Sequence, residues 1–199
     1  MPVEKPPSKK EQTREKILVA ASQNFRSNGY AGVGVDGIAK AAGVTSGAFY
    51  SHFGSKDGAF DAALISGLNE VIEGIPQFQK KFGKNWVEEF AEYYLGQKHQ
   101  NDLACGCAMT TLSPEVVRAA SETQATYEKM MNKIINLAAD GLEGNSLEEK
   151  RARAWTMLSI LIGGLTVARA VKSKKTTDEI AKSIKASAIT AAGKTLNHQ

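Results

Sequence analysis

The stretch VDGIAKAAGVTSGAFYSHFGSKDGAF, residues 35–60, decides how the rest of the chain is organised. Four apolar side chains near its start share one helical face: Val35, Ile38, Ala39 and Ala42. Gly43 is suited to end that helix because glycine readily adopts the left-handed conformation. Thr45 is placed to cap a second helix, about residues 46–52. Phe49 within it and Phe53 directly after it are four residues apart and point inward. The pattern therefore predicts two short helices joined by a tight turn.

The second helix is barely two turns long and would be marginal in water on its own. Its outward face carries small and polar side chains, among them Ala48, Tyr50 and Ser51. A helix-turn-helix places such a helix in the major groove of DNA, with its first residues towards the base edges. The alternative is a purely structural helical hairpin in another all-α protein.

Composition predicts an all-α protein. The 199 residues are 42% hydrophobic and 23% charged, with five prolines, and strand patterns are scarce. The longest uncharged apolar run, residues 154–168, is shorter than the ~20 residues that a membrane span needs, which indicates a buried helix. No apolar signal-peptide core follows the N-terminus, so we expect a cytoplasmic protein.

Charge is distributed unevenly along the chain, whose net charge is +4. Residues 1–60 carry eight Lys and Arg against five Asp and Glu, residues 61–171 eleven against fourteen, and residues 172–199 six against two. A basic amino-terminal part fits a surface that faces phosphates. The asymmetry is modest and supports the helix-turn-helix only together with the residue pattern.

The amino-terminal third resembles the TetR family of bacterial transcriptional regulators. The matching residues of the helix-turn-helix are Ile38-Ala39, Ala42-Gly43-Val44, Gly47, Phe49-Tyr50, His52-Phe53, Ser55-Lys56 and Phe60. The preceding helix contributes Ile17, Ala20, Ala21, Phe25 and Gly29-Tyr30. The resemblance implies a three-helix DNA-binding head, then a helical body for ligand binding and dimerisation, with about nine helices in all. Beyond Leu68 it depends on helical pattern alone.

The resemblance also implies which residues contact DNA. They are Gly34, Thr45, Ser46, Gly47, Ala48, Tyr50, Ser51, His52 and Lys56. Thr45 and Ser46 open the recognition helix and are expected to contact a phosphate, and Tyr50, His52 and Lys56 are expected to contact phosphates as well. Ala48 is expected to meet a thymine methyl. The family usually has hydroxyl residues where this chain has Val33 and Gly34, so that hydroxyl contact is missing.

The chain divides into a flexible arm (1–10), the helix-turn-helix domain (11–55) and the ligand-binding and dimerisation domain (56–199). The first helix is expected over residues 11–28. A fourth, from Ser55, is expected to end at Gly74 and Pro76. Further helices are expected over 85–96, 123–140, 147–171 and 177–193, with Ser113 capping another ahead of Pro114.

An aromatic stripe at Trp86, Phe90, Tyr93 and Tyr94 has two interpretations, core packing or the wall of an apolar ligand pocket. For the pocket, the candidate ligand-binding residues are Trp86, Phe90, Tyr94, Cys107, Thr110, Tyr127, Met131 and Trp155. Cys105 and Cys107 are too close in sequence for an easy disulfide and lack partners for a zinc site. For Cys107 three roles stay open: packing, pocket lining and thiol sensing.

These features lead to three hypotheses of different classes. The first is a homodimeric regulator, a repressor released from a palindromic operator by a small apolar or amphipathic molecule, with its last two helices forming the dimer interface. The second is a thiol-based redox sensor that acts through Cys105 or Cys107. The third, an enzyme, lacks a nucleophile elbow, a phosphate-binding glycine loop and a metal cluster. No cofactor or metal is expected.

Overall fold

The computed structural model describes residues 6–193 of the chain, and in this range the regular structure is helical throughout. The helices are α1 Lys9–Asn28, α2 Val35–Ala42, α3 Ser46–Phe53, α4 Lys56–Phe82, α5 Trp86–Tyr94, α6 Gln97–Asn101, α7 Ala108–Thr111, α8 Ser113–Val116, α9 Ser121–Asp140, α10 Leu147–Ala170 and α11 Lys174–Ala191. A 3₁₀ turn, Gly83–Asn85, precedes α5. The all-α prediction is confirmed. Eleven α-helices are described in this range, and eight of them have eight or more residues. The expected number of about nine lies between these two counts.

Helices α1, α2 and α3 form a three-helix head around buried apolar side chains. Ile17 and Phe25 of α1, Ile38 of α2 and Phe49 of α3 are fully buried. Gly43 ends α2 in the left-handed conformation, with φ of 69°, which a side chain would disfavour. The chain therefore turns sharply between α2 and α3, as the sequence pattern predicts.

The first helix begins earlier than expected. The Ser8 hydroxyl accepts a hydrogen bond from the Glu11 amide, and the Glu11 carboxylate accepts one from the Ser8 amide. This capping box starts α1 at Lys9 rather than at residue 11. Lys9 and Lys10, which were predicted to belong to the arm of residues 1–10, are thus part of α1, and residues 1–5 lie outside the described part of the chain.

Helix α4 is longer than expected and passes through the proline that was predicted to stop it. Pro76 cannot donate the helical hydrogen bond to Ile72, a loss that normally ends or kinks a helix. The helix nevertheless continues, because Phe78 and Phe82 beyond the proline pack against the apolar core. It ends at Gly83, whose φ of 53° suits glycine.

Long helices of the body pack on α4 and on each other. Thr123 of α9 donates a hydrogen bond to Asp61 of α4 at 2.6 Å, and Gln79 of α4 donates one to the Leu137 carbonyl at 2.7 Å. Helix α10 packs closely on α11, where a side chain at Gly164 would collide with Ile184. The apolar residues of head and body form one continuous core.

Boundaries in the body differ by a few residues from the predicted ones. Helix α5 covers Trp86–Tyr94, α9 begins at Ser121 and α11 at Lys174. Ser113 does not cap α8 but is its first residue, because its hydroxyl donates to the Met109 carbonyl instead. The division of domains at residue 55 stays a prediction, since α4 packs on both α1 and α9. None of the helices in residues 6–193 is long and apolar enough to cross a membrane.

Candidate nucleic-acid interface and ligand cleft

None of the nine residues predicted to contact DNA is buried; eight of them lie in the head, and Lys56 is the first residue of α4. Within α3, only Phe49 is fully buried, whereas Tyr50 is 52% exposed. The Phe49 ring packs edge-on against Tyr50 and at a tilt against Phe53. Burial of one ring thus fixes how the small and polar face of α3 is presented to the solvent.

Two hydroxyls form hydrogen bonds at the start of α3. Thr45 accepts from the Ala48 amide at 3.2 Å, as expected for a cap. Ser46 donates to the Asp36 carboxylate of α2 at 2.6 Å, which the sequence reasoning missed. The Ser46 hydroxyl is thus bound to an anionic neighbour, and this arrangement favours a backbone rather than a hydroxyl contact to a phosphate at this position.

Helix α2 begins at Gly34 without a side-chain cap. Gly34 is exposed, has an extended backbone and accepts a hydrogen bond from the Ile38 amide through its own carbonyl. This is the arrangement expected of glycine as a cap. A hydroxyl that would contact a phosphate is lacking here, as the sequence indicates.

Lys56, at the start of α4, is held by an aromatic cluster. Its Nζ lies 4.1 Å from the centre of the Tyr30 ring, a cation–π contact. The Tyr30 hydroxyl donates a hydrogen bond to Asp57, and this bond raises the pKa of Tyr30 to about 12. Tyr30 also stacks on Phe25 and meets Phe60 edge-on. The head core therefore positions the Lys56 ammonium at the edge of the candidate interface.

A cleft of about 660 Å³ lies in the body between α4, α5 and the loop that precedes α7. Three of the predicted ligand-binding residues line it: Phe90, Tyr94 and Cys107. The Tyr94 hydroxyl and the Thr110 hydroxyl share a buried hydrogen bond of 2.7 Å. The structure thus supports both interpretations of the aromatic stripe, because Phe90 and Tyr94 belong to the core and also form a wall of the cleft.

Five predicted ligand-binding residues do not line the cleft. The Trp86 indole donates to the Gly141 carbonyl at 2.8 Å, and Tyr127 shares a 2.7 Å hydrogen bond with Ser113. Thr110 and Met131 are buried in the core without reaching the cleft. Trp155 is 39% exposed on the outer face of α10. Helical spacing places a side chain on a face, but the fold decides which partner that face meets.

Several cleft residues were missed because α4 was expected to end at Gly74. Its last two turns supply Phe78, Lys81 and Phe82 to the cleft. The missed carboxylates are Glu70, Glu89 and Glu92, and His99 also lines the cleft. Continued apolar spacing through Ile75, Phe78 and Phe82 is the signal that would have revealed the longer helix.

Arg26 connects the head to the wall of the cleft. Its side chain is buried in α1 with only 7% of the residue exposed. One guanidinium nitrogen, Nη2, donates to Glu70 of α4 at 2.8 Å, and Nη1 donates to the Gly106 carbonyl at 3.0 Å. Gly67 lies directly beneath, where a Cβ would come within 2.6 Å of Nη2. A residue of the head thus contacts two segments that border the cleft.

The two cysteines flank this Arg26 contact and are both free thiols. Cys105 is exposed, and a hydrogen bond to Asp102 raises the pKa of its thiol. Cys107 is buried, and burial raises the pKa of its thiol. A raised pKa lowers the thiolate fraction at neutral pH, which makes both thiols less reactive. Packing and cleft lining therefore describe Cys107 better than thiol sensing does.

Comparison with known proteins relates both parts of the chain to regulators. Residues 17–63 match the model of the family described as bacterial regulatory proteins, tetR family. The HTH-type transcriptional repressor NemR of Escherichia coli (strain K12) is 27% identical over 135 residues, which cover 66% of this chain and 67% of NemR.

Solved structures extend the likeness to the body. The transcriptional regulator of the TetR family from Cytophaga hutchinsonii superimposes with a TM-score of 0.76 at 17% identity, covering 98% of this chain and 100% of that one. FadR from Bacillus subtilis, solved in complex with stearoyl-CoA, gives a TM-score of 0.68 at 16% identity, covering 89% and 98%. At these identities the two structures establish a shared fold.

Proposed function

We propose that this chain, whose residues 17–63 match the TetR-family model, is a ligand-responsive, DNA-binding regulator of transcription. In this proposal it is a repressor whose palindromic operator is released when a small molecule fills the cleft. The observation that carries this proposal is the eight-residue α3, which is held by the buried Phe49 and exposes Tyr50 together with small and polar side chains. Such a face can approach base edges closely. Because α3 has no Arg, Asn or Gln for bidentate base contacts, DNA shape is expected to contribute to sequence preference.

The proposed dimer uses the outer faces of α10 and α11. Along α10 one exposed face carries no charge and consists of Ala152, Trp155, Thr156, Ser159, Gly163, Thr166 and Val167. A groove of about 440 Å³ follows it between α10 and α11, where Val167 and Ile180 contribute apolar surface. Two such faces related by a two-fold axis form a four-helix bundle. A symmetric pair would read a nearly palindromic operator in two major grooves.

The proposed release mechanism links the cleft to the head through Arg26. The Arg26 guanidinium donates to the Glu70 carboxylate and to the Gly106 carbonyl. A ligand that contacts either of these groups would therefore change a contact made by a residue of the head. A ligand that prefers a body conformation in which the heads no longer fit the operator lowers the affinity for the operator. The operator lowers the affinity for the ligand by the same factor, because the coupling is reciprocal. The proposed effector is small and apolar or amphipathic, in keeping with the aromatic walls of the cleft.

Lys56→Ala tests the proposed DNA interface. Duplex sites are first selected from a random library with the purified chain, and affinity is then measured by fluorescence anisotropy across a salt series. We expect weaker binding to selected and unselected duplexes alike, with the slope of log affinity against log salt smaller by about 1 per lost phosphate contact. Lys133→Ala, on the exposed side of α9, is the matched control and should change neither quantity. An unchanged salt slope in Lys56→Ala would refute the assigned contact.

The redox alternative is favoured only by the exposure of Cys105 near the Arg26 contact. Because both thiols have a raised pKa, we expect peroxide to leave operator affinity unchanged near neutral pH. The measurement is operator titration before and after peroxide, with the Cys105→Ser and Cys107→Ser variants beside the wild type. Operator release that either serine variant abolishes would favour the redox sensor over the ligand-responsive repressor.

We further infer a cytoplasmic location, where a regulator of transcription meets its operator. We expect no enzymatic turnover. Within the described residues, no three His, Cys, Asp or Glu side chains are grouped so as to hold a metal ion.

A further inference from the structure

We infer that the cleft selects an aromatic organic cation that carries N–H groups, such as a protonated arylalkylamine, over neutral or anionic molecules of the same shape. This assignment rests on the proposed function, in which the cleft is the effector site, and it names the chemical class of that effector.

The walls of the cleft are rich in aromatic rings. Six ring side chains line it: Phe78, Phe82, Phe90, Tyr93, Tyr94 and His99. Ring faces attract cations through their quadrupole, and the effect strengthens away from water. One ring already has this role, because the Lys81 ammonium lies 4.8 Å from the centre of Phe82. The walls therefore suit a molecule with a flat apolar body and a positive charge.

The charged side chains that line the cleft are mostly negative. Three carboxylates line it, Glu70, Glu89 and Glu92, against the single ammonium of Lys81. Glu70 is paired with Arg26 at 2.8 Å, and Glu92 with Lys185 at 2.6 Å. Glu89 forms neither an ion pair nor a hydrogen bond with the residues that the structure describes. Glu89 is an exposed residue in the lining, and its carboxylate is therefore available to a cation that enters the cleft.

His99, which is 7% exposed, also lines the cleft. Its Nδ1 lies 3.0 Å from the Tyr93 carbonyl, which can only accept, so Nδ1 carries the proton and Nε2 is an acceptor. Nε2 has no hydrogen-bond partner within residues 6–193. Burial lowers the pKa of His99, which keeps the ring neutral at pH 7. An unpaired acceptor on a residue that lines the cleft suits an N–H donor on the ligand.

The experiment compares ligands that share one ring system and differ in charge. Isothermal titration calorimetry, on the full chain without DNA, measures the affinity for naphthalen-2-ylmethylamine, naphthalen-2-ylmethanol and 2-naphthoate. We expect the protonated amine to bind at least tenfold more tightly than the alcohol and the carboxylate. We expect trimethyl(naphthalen-2-ylmethyl)ammonium, which has the charge but no N–H, to bind with an intermediate affinity. Equal binding of amine and alcohol would overturn the inference.

Two glutamine variants show whether the carboxylate is responsible. Glu89→Gln should weaken the amine at least threefold and leave the alcohol unchanged, whereas Glu73→Gln, an exposed position on α4 outside the cleft, should change neither. An amine affinity that Glu89→Gln leaves unaltered would also overturn the inference. The two proposals can fail separately. A chain that binds its operator but not the amine contradicts only the proposed ligand class. A chain that binds the amine but no duplex contradicts only the proposed DNA-binding role.

Discussion

Replacing Phe49 with alanine is expected to lower the free energy of unfolding by about 3–5 kcal/mol and to abolish preference for any duplex sequence. Phe49 is fully buried and is the residue through which α3 enters the core of the head. The substitution removes the apolar contacts of the ring and leaves a cavity beneath a helix of only eight residues. Such a short helix has little stability of its own, so loss of this packing releases it.

Urea denaturation followed by circular dichroism measures the change in stability, and anisotropy titration measures duplex binding. Tyr50→Ala is the matched control on the same helix, because Tyr50 is exposed and predicted to contact a phosphate. We expect that variant to lose duplex affinity with a stability change below about 1 kcal/mol. A Phe49→Ala protein as stable as the wild type would contradict the packing role described for this ring.

Replacing Val167 with aspartate is expected to convert the proposed dimer to monomers, with a dissociation constant raised about 100-fold or more. Val167 is 53% exposed at the groove between α10 and α11. In a two-fold bundle each chain would bury one aspartate against an apolar face. A carboxylate buried in this way would lose its hydration without gaining a compensating partner.

Sedimentation equilibrium of the purified chain over a range of concentrations checks this result. Val117→Asp provides a matched control, since Val117 is 75% exposed at the end of α8 and lies outside the α10–α11 face. We expect that control to sediment as the wild type does. A wild-type chain that sediments as a single subunit, or a Val167→Asp dimer of unchanged affinity, would refute the proposed interface.

Local sequence signals predicted the head well. The turn between α2 and α3 depends on Gly43 and Thr45, whose conformational and capping preferences act within a few residues. The apolar spacing of α2 and the inward direction of Phe49 are also local. These features need no knowledge of distant parts of the chain, and the structure confirms them.

The cleft was predicted less well because its residues meet through contacts far apart in sequence. Pro76 is a strong local signal to end a helix, but packing of Phe78 and Phe82 against the core outweighs it. Trp86 was placed in the ligand pocket, yet its indole bonds to Gly141, 55 residues away. Periodicity shows which side of a helix is apolar, and tertiary packing decides what that side meets.

The buried guanidinium of Arg26 has a consequence for how the molecule denatures. Its counter-charge, Glu70, and its carbonyl partner, Gly106, lie 44 and 80 residues further along the chain. If either half unfolded alone, both hydrogen bonds of this cation would be broken, a cost that opposes partial opening. Together with the continuous apolar core, this favours a single cooperative, two-state transition in place of stepwise melting of the two halves.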